Sequence, residues 1–175
     1  NCLGLVIDLL HRMAGSGMAR FVVLGAGDPQ FQESLKIVSS QYPEAIDVVI
    51  GFDEVLAHLI QAAADILLMP SQYEPCGLAQ LYAFRYGTIP IVRATGGLVD
   101  TVVNVSDQTC ADGTASGFVF DAFEPAALEA AVRRAIDAHG NTKLWQDLIR
   151  GVMQQDWSWD VSARKYQEVF SQARA

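Results

Sequence analysis

The chain has 175 residues, of which 51% are hydrophobic and 18% are charged, so it suits one domain with an ordinary core and excludes a disordered or collagen-like protein. Twenty acidic and twelve basic residues give a formal net charge of −8, which disfavours nonspecific binding to nucleic acid or to anionic lipid. We therefore expect no nucleic-acid partner. No apolar run approaches the roughly 18 residues that a membrane span requires, so we expect no membrane association either.

Five short apolar runs predict β-strands, and the segments between them predict helices. The runs do not alternate polar with apolar residues, which is typical of strands buried on both faces of a parallel sheet. They cover residues 21–24, 48–50, 66–69, 89–92 and 117–120. Apolar residues three or four apart predict helices near residues 6–13, 55–60, 77–85, 128–136, 144–148 and 166–170. This alternation predicts a doubly wound α/β domain with a mostly parallel sheet and right-handed crossovers.

The order of the elements raises an expectation about the centre of the sheet. This architecture normally opens with a central strand, whereas here a helix comes first. We therefore expect the first strand to be missing, and its neighbours either to close the gap or to stay partly unpaired. Residues 1–175 are interpreted as a single domain that ends in a C-terminal helix over residues 156–175. The polar stretch at residues 107–116 is expected to be flexible.

Cysteine and histidine give no sign of a metal site or a disulfide. The three cysteines, Cys2, Cys76 and Cys110, are odd in number and have neither disulfide nor metal-ligand spacing, which predicts a reducing compartment. The histidines are scattered along the chain, so we expect no metal. His58 lies on an apolar helix face, where we expect a structural role.

Three loops lie where such folds bind ligands, beyond the carboxyl ends of strands. The first, residues 24–28, reads LGAGD, and its glycines let backbone approach a ligand at the start of a helix. Gln30 replaces the third glycine of the dinucleotide fingerprint, so a tight turn without a ligand is an equal alternative. The third loop, residues 93–98, reads RATGGL. Its paired glycines suit either an anion or hydroxyl cradle, or a structural turn.

The second loop carries the strongest signal, because residues 70–80 read PSQYEPCGLAQ. Glu74 lies in a turn fixed by Pro75, next to helix-start N–H groups at residues 77–79 that suit a diphosphate. The carboxylate repels phosphate, so its natural partner is a donor such as a sugar hydroxyl. A nucleotide-sugar site requires this combination. The alternative is that Glu74 only caps the helix.

Together these segments resemble one family, the bacterial glycogen synthases and plant starch synthases. The blocks that carry the resemblance span almost the whole chain and read LGAGD (24–28), GFDE (51–54), EPCGLAQ (74–80), RYGTIPIV (85–92), TGGL (95–98), DTV (100–102) and WSW (157–159).

The resemblance implies the Rossmann-like C-terminal domain of a two-domain GT-B glycosyltransferase. Such an enzyme transfers glucose from ADP-glucose to the 4-hydroxyl of an α-1,4-glucan with retention at the anomeric carbon. It would act in the cytoplasm, or in the plastid of a plant or alga. The implied ligands are ADP-glucose and ADP, with no cofactor and no metal, and the α-glucan acceptor would bind through the N-terminal domain.

The resemblance also implies roles for individual residues. Glu74 is expected to act as the catalytic residue that holds the donor glucose, through its 3-hydroxyl. Cys76 is expected to lie beside the sugar, and the amides of Gly77, Leu78 and Ala79 are expected to bind the distal phosphate. The loop of Thr95, Gly96 and Gly97 is expected to lie near the donor. The nucleotide is expected to contact Gly25, Gly51 and Phe52, and the ring of Phe52 can stack on adenine.

Departures from the family pattern limit what this chain is expected to do alone. An arginine that ends the family's first strand has no counterpart, and the lysine that follows it falls at Cys2, so we expect weak nucleotide binding and no activity. Ala79 replaces a threonine common in bacterial members. Tyr82 stands where related retaining transferases place a second glutamate, but the resemblance implies a tyrosine there in glycogen synthases, which argues against the sucrose synthase and sucrose-phosphate synthase branch. Two alternatives stay open: a non-catalytic nucleotide- or carbohydrate-binding module, and a GT-B transferase that uses another nucleotide sugar.

The C-terminal end carries two tryptophans and several apolar residues. Trp157 and Trp159 are expected to pack the terminal helix onto the domain rather than to form a platform for a sugar. Apolar surface left exposed in this region predicts self-association of the chain.

Overall fold

The computed structural model describes residues 2–173, and within them short parallel strands alternate with helices. The strands are β1 (Phe21–Gly25), β2 (Ile46–Ile50), β3 (Ile66–Met69), β4 (Ile89–Arg93) and β5 (Phe118–Phe120). The helices are α1 (Cys2–Met13), α2 (Pro29–Gln41), α3 (Glu54–Ala63), α4 (Ala79–Tyr86), α5 (Leu98–Thr101), α6 (Asp107–Ala111), α7 (Pro125–Gly140), α8 (Thr142–Gln154) and α9 (Trp159–Gln172). No helix in this range is long and apolar enough to cross a membrane.

Every strand pair is parallel, as the apolar runs predict. β1 pairs with β2, and β4 lies between β3 and β5. Val23 stands opposite Val48 in the first sheet, and Leu68 stands opposite Ile91 in the second. Parallel strands end at one edge of their sheet, so the loops that follow β3 and β4 are neighbours. The predicted α/β class with parallel strands is confirmed.

The strands form two sheets, because β1 and β3 do not hydrogen-bond to each other in the described part of the chain. Each of these two strands keeps an edge with no strand partner in this range, which is one of the two outcomes expected at the centre of the sheet. Helix α1 links the sheets: Leu5, Leu9 and Met13 are buried in the core around β3–β5, and Leu10 is buried in the smaller core around β1 and β2. The helix also contacts both α2 and α7.

Burial on both faces is confirmed for β4 but is wrong for the first sheet. Residues 89–92 are buried, whereas Val22 of β1 is 50% exposed and Val49 of β2 is 41% exposed. Helices α1 and α2 cover the opposite face of that sheet. Helix α3 packs on α4 and buries none of its own residues. An apolar run alone does not reveal which helix will cover it.

The stretch predicted to be flexible contains the short helix α6, which begins with a capping box. The Ser106 hydroxyl accepts from the Thr109 N–H at 3.2 Å, and the Thr109 hydroxyl accepts from the Ser106 N–H at 2.9 Å. Thr109 Oγ1 also donates to the carbonyl oxygen of Asn104 at 2.7 Å. Local side-chain hydrogen bonds therefore order a segment whose polar composition is typical of a loop.

The C-terminal helix covers part of the range predicted for it and lies largely in solvent. Within residues 156–175, helix α9 covers Trp159–Gln172, while residues 174–175, like residue 1, lie outside the described part. It buries none of its residues. Tyr166 and Phe170 are 59% and 63% exposed, so one side of the helix presents apolar surface to water.

The two tryptophans near this helix have different surroundings. The ring of Trp157 stacks on Phe84, with 6.5 Å between the ring centroids. Trp159, at the first turn of α9, is 80% exposed. The prediction that both rings pack onto the domain is therefore confirmed for Trp157 and wrong for Trp159.

Replacing Leu9 with alanine tests whether α1 carries the link between the sheets. Leu9 is fully buried, so Leu9→Ala is expected to lower the free energy of unfolding by about 2–5 kcal/mol. Leu59→Ala on α3 is the matched control, because Leu59 is 60% exposed, and its loss should stay below about 1 kcal/mol. Urea unfolding followed by circular dichroism measures both. Equal losses for the two variants would contradict the role of α1.

Candidate functional site

The predicted nucleotide residues lie at the carboxyl ends of β1 and β2. The Gly51 N–H donates to the carbonyl oxygen of Gly25 at 3.0 Å, so these two glycines are brought together. The ring of Phe52 is 93% exposed, and nothing in the described structure covers it. This edge of the first sheet therefore presents a bare aromatic face beside a pair of glycines.

The helices that begin at this edge are already capped by carboxylates. Asp28 accepts from the Gln30 N–H at 2.8 Å at the start of α2. Asp53 accepts from the Leu56 N–H at 2.9 Å at the start of α3. A carboxylate at a helix start satisfies a free N–H and repels phosphate. These caps therefore argue against a phosphate site at residues 24–28.

Helix α4, at the carboxyl end of β3, begins without a side-chain cap. Its N-cap residue is Leu78, and no side chain hydrogen-bonds to its first turn. Within residues 2–173, the N–H groups of Gly77, Leu78 and Ala79 donate to no acceptor. Uncapped N–H groups at a helix start, together with the helix dipole, form a site for an anion. The structure thus leaves free the amides that the sequence assigns to phosphate.

Glu74 does not cap this helix. Its carboxylate accepts from the hydroxyl of Ser71 at 3.3 Å, and it takes no hydrogen bond from the first turn of α4. The capping alternative is therefore wrong. A half-buried carboxylate and the exposed thiol of Cys76 lie instead in the loop that leads to the free amides.

The glycine pair packs directly against this loop. The Gly97 N–H donates to the carbonyl oxygen of Glu74 at 3.0 Å. A Cβ atom on Gly96 would overlap that same oxygen, and one on Gly97 would lie 2.6 Å from the carbonyl oxygen of Cys76. The structural-turn alternative therefore explains both glycines, and the Gly97 N–H is not free for a ligand. Thr95, which precedes them, is half-buried at the same edge.

Arg93, at the end of β4, hydrogen-bonds to the loops that follow β3 and β5, a role that the sequence did not suggest. Its guanidinium donates to the carbonyl oxygen of Gln72 at 2.7 Å and to that of Asp121 at 3.0 Å. The same group lies 5.5 Å above the ring of Phe123. The signal that could have indicated this role is an arginine at the end of an apolar strand, at the edge of the sheet where ligands bind. Its partners could not be identified from the sequence, because they are 21 and 28 residues away.

The predicted site residues fall into two groups. Gly25, Gly51 and Phe52 lie on the first sheet, and those of the loops after β3 and β4 lie on the second. No hydrogen bond or ion pair joins the groups within residues 2–173. Over the same range, no three His, Cys, Asp or Glu side chains are grouped so that they could hold a metal ion.

His58 lies apart from these loops and contacts aromatic rings. Its Nδ1 is 3.2 Å from the hydroxyl of Tyr86, and its ring packs edge-on against Tyr82 at 5.7 Å between centroids. The expected structural role of His58 is consistent with these contacts.

Comparison with known proteins gives a family and several relatives. Residues 5–150 match the family described as glycosyl transferases group 1. Over 153 residues the chain is 47% identical to a glycogen synthase from Nitrosomonas eutropha, a match that covers 87% of this chain and 30% of that protein.

Solved structures agree with this assignment. The catalytic domain of starch synthase IV from Arabidopsis thaliana, bound to ADP and acarbose, is 34% identical and has a TM-score of 0.87, covering 98% of this chain and 35% of that one. A sucrose-phosphate synthase from Thermosynechococcus elongatus, 22% identical, shares the fold with a TM-score of 0.66 over 96% of this chain and 42% of its own. The resemblance drawn from the sequence and the Rossmann-like GT-B fold are confirmed, and the chain spans about a third of the length of its glycogen and starch synthase relatives.

The glycine pair can be tested with a control that shares its backbone conformation. Gly96 and Gly113 both have positive φ, +49° and +70°, but a Cβ on Gly113 meets nothing within 4 Å. Gly113→Ala should cost about 1–2 kcal/mol of stability from the left-handed backbone alone. Gly96→Ala should cost about 1–3 kcal/mol more, because the new methyl displaces the Glu74 loop.

Urea unfolding gives the two losses, and amide NMR shifts locate the displacement. The shifts in Gly96→Ala should centre on Glu74 and Cys76, the residues on either side of Pro75, which has no N–H. If the two variants lose the same stability and Cys76 does not shift, the close approach of the two loops is not required.

Proposed function

Because the chain belongs to the group 1 glycosyltransferases, we propose that it is the donor-binding domain of a glycogen or starch synthase. The parent enzyme transfers glucose from ADP-glucose to the 4-hydroxyl of an α-1,4-glucan and retains the configuration at the anomeric carbon. The observation that carries the proposal is the uncapped start of α4 beside the Glu74 carboxylate. The 47% identity to a glycogen synthase and the likeness to a starch synthase bound to ADP support it.

The two halves of the loop suit the two halves of the donor. The free N–H groups at residues 77–79 bind the diphosphate, since amides and the helix dipole favour negative charge. Glu74 accepts hydrogen bonds from the glucose hydroxyls, and a carboxylate is a strong acceptor for them. Cys76 lies between these groups in the chain and contacts the sugar. Thr95 and the glycine pair form the neighbouring wall.

The same arrangement assists the reaction. The bond between the anomeric carbon and the diphosphate oxygen breaks, and the electron pair stays on that oxygen. The acceptor 4-hydroxyl oxygen forms the new bond, and its proton passes to the departing diphosphate or to water. Negative charge develops on the departing phosphate oxygen, and in the proposal the free amides of Gly77, Leu78 and Ala79 bind that phosphate. Preorganised dipoles aimed at developing charge lower the barrier without a metal. In the proposal, the α-glucan acceptor binds to the N-terminal domain of the parent enzyme.

The nucleotide end of the donor uses the first sheet. The exposed ring of Phe52 stacks on adenine, because an aromatic face free of protein contacts is available there. Gly25 and Gly51 let the backbone approach the ribose closely. The proposed compartment is the reducing cytoplasm, or a plastid, which suits three cysteines that are all free.

An NMR titration of the isotope-labelled chain with ADP, and in parallel with UDP, tests the donor site. ADP should shift the amide resonances of Gly77, Leu78 and Phe52, and UDP should shift them less. Equal or larger shifts with UDP would favour a transferase that uses another nucleotide sugar. A well-dispersed spectrum that neither nucleotide changes would contradict the proposal.

Glu74→Gln separates the sugar contact from the phosphate contact. The variant should bind ADP as the unmodified chain does, but its affinity for ADP-glucose should fall about tenfold, because a charge-assisted hydrogen bond is lost. Glu44→Gln is the matched control, since Glu44 is exposed in the turn that precedes β2. Equal losses for ADP and ADP-glucose would contradict the sugar role of Glu74.

Self-association of this chain is part of the proposal and can be measured directly. The exposed residues Trp159, Tyr166 and Phe170 on α9 are the expected contact surface. Sedimentation velocity should show a concentration-dependent rise in mass that Tyr166→Ser together with Phe170→Ser reduces. A strictly monomeric species at high concentration would count against it.

A further inference from the structure

Gln80, in the first turn of α4, is a polar side chain in an apolar setting. It is fully buried on the helix face that also buries Ala83 and Phe84. A buried amide is costly unless it is hydrogen-bonded. The contacts of Gln80 therefore indicate what this side chain does.

All of the hydrogen bonds of the Gln80 side chain come from its Nε2. This nitrogen donates to the carbonyl oxygens of Cys76 at 3.2 Å and Gly77 at 3.1 Å, and to the hydroxyl oxygen of Thr101 at 3.2 Å. Its Oε1 has no partner among the described residues. Two hydrogens thus serve three acceptors, and all three belong to the loops of the candidate site or to the short helix that follows them.

Thr101 completes a closed circuit of hydrogen bonds. Its hydroxyl donates to the carbonyl oxygen of Gly97 at 3.0 Å. The Gly97 N–H in turn donates to the carbonyl oxygen of Glu74. The chain of contacts therefore runs from the Glu74 loop through Gln80 and Thr101 to the glycine pair and back to the loop.

We infer that Gln80 is a positioning residue, which with Thr101 holds the Glu74 loop and the glycine pair in a single arrangement. This inference deepens the proposed function and rests on it for the identity of the ligand. By holding the carbonyls of Cys76 and Gly77, the amide fixes the peptide planes whose N–H groups face the phosphate. Loss of the Gln80 side-chain amide should therefore disorder the backbone N–H groups that bind the phosphate, although Gln80 itself does not contact the nucleotide sugar.

A buried polar residue outside the circuit serves as the matched control. Thr88 is also fully buried. Its hydroxyl donates to the carbonyl oxygens of Gln61 and Ala64, at the amino end of β4 and away from both loops. Thr88→Val removes side-chain hydrogen bonds from an equally buried site, so it separates general destabilisation from loss of the circuit.

The test compares Gln80→Met, Thr101→Val and Thr88→Val in the full chain by hydrogen exchange and by ADP titration. Gln80→Met and Thr101→Val should speed amide exchange at least tenfold at Gly97 and Leu98, whose N–H groups donate to the carbonyl oxygens of Glu74 and Thr95. Both variants should also weaken ADP binding about tenfold. Thr88→Val should leave both readouts at these loops unchanged. Faster exchange spread over the whole chain, or the same loop effect in Thr88→Val, would overturn the inference.

A double variant provides a further criterion. Gln80→Met combined with Thr101→Val should have little more effect on loop exchange than either change alone, because each breaks the same circuit. Additive effects would show that the residues act independently and would refute the inference. If Gln80→Met does not fold, the comparison of loop amide exchange and ADP affinity between Thr101→Val and Thr88→Val decides whether the inference holds.

The exchange measurement requires no ligand. If the unmodified chain binds no ADP, the proposed function fails while the positioning role of Gln80 is still decided. If ADP binds but the loop amides exchange alike in all variants, only the inference about Gln80 fails.

Discussion

The site depends on the direct contact of two backbone segments, the loop around Glu74 and the glycine pair after β4. A side chain on Gly96 would occupy the position of the Glu74 carbonyl oxygen, and the Gly97 N–H bonds to that oxygen. With no Cβ between them, the main chains at the carboxyl ends of β3 and β4 contact each other directly. Glu74 and the start of α4 are thereby held at fixed positions, which a preorganised site requires.

The helix starts at the ligand edge differ in what they can still bind. Asp28 and Asp53 cap α2 and α3, and these carboxylates repel any phosphate that approaches. Helix α4 has no such cap, and the carboxylate of Glu74, in the loop before it, accepts from the hydroxyl of Ser71 instead. On a chain with a net charge of −8, the uncapped N–H groups at the start of α4 can attract an anion locally without a basic surface.

Helix α1 is important for holding the two sheets together, because it packs into the core of each. Strands β1 and β3 do not pair in the described range, so hydrogen bonds cannot join them there. Helix α1 buries Leu9 in one core and Leu10 in the other, and apolar packing takes over the role that strand pairing has within a continuous sheet. The exposed Val22 and Val49 mark the face that lacks such cover.

The sequence by itself determined the strands, their parallel direction, the family and the loop that contains Glu74. These features rest on local patterns: apolar runs, glycines at strand ends, and a block of neighbouring residues. The tertiary structure alone decided that Glu74 does not cap α4, that Arg93 contacts the loops after β3 and β5, and that Gln80 reaches Thr101. Each of these facts depends on the direction of a side chain toward a partner or away from it. Such partners lie as much as 28 residues away, and only the packed fold brings them within hydrogen-bond distance.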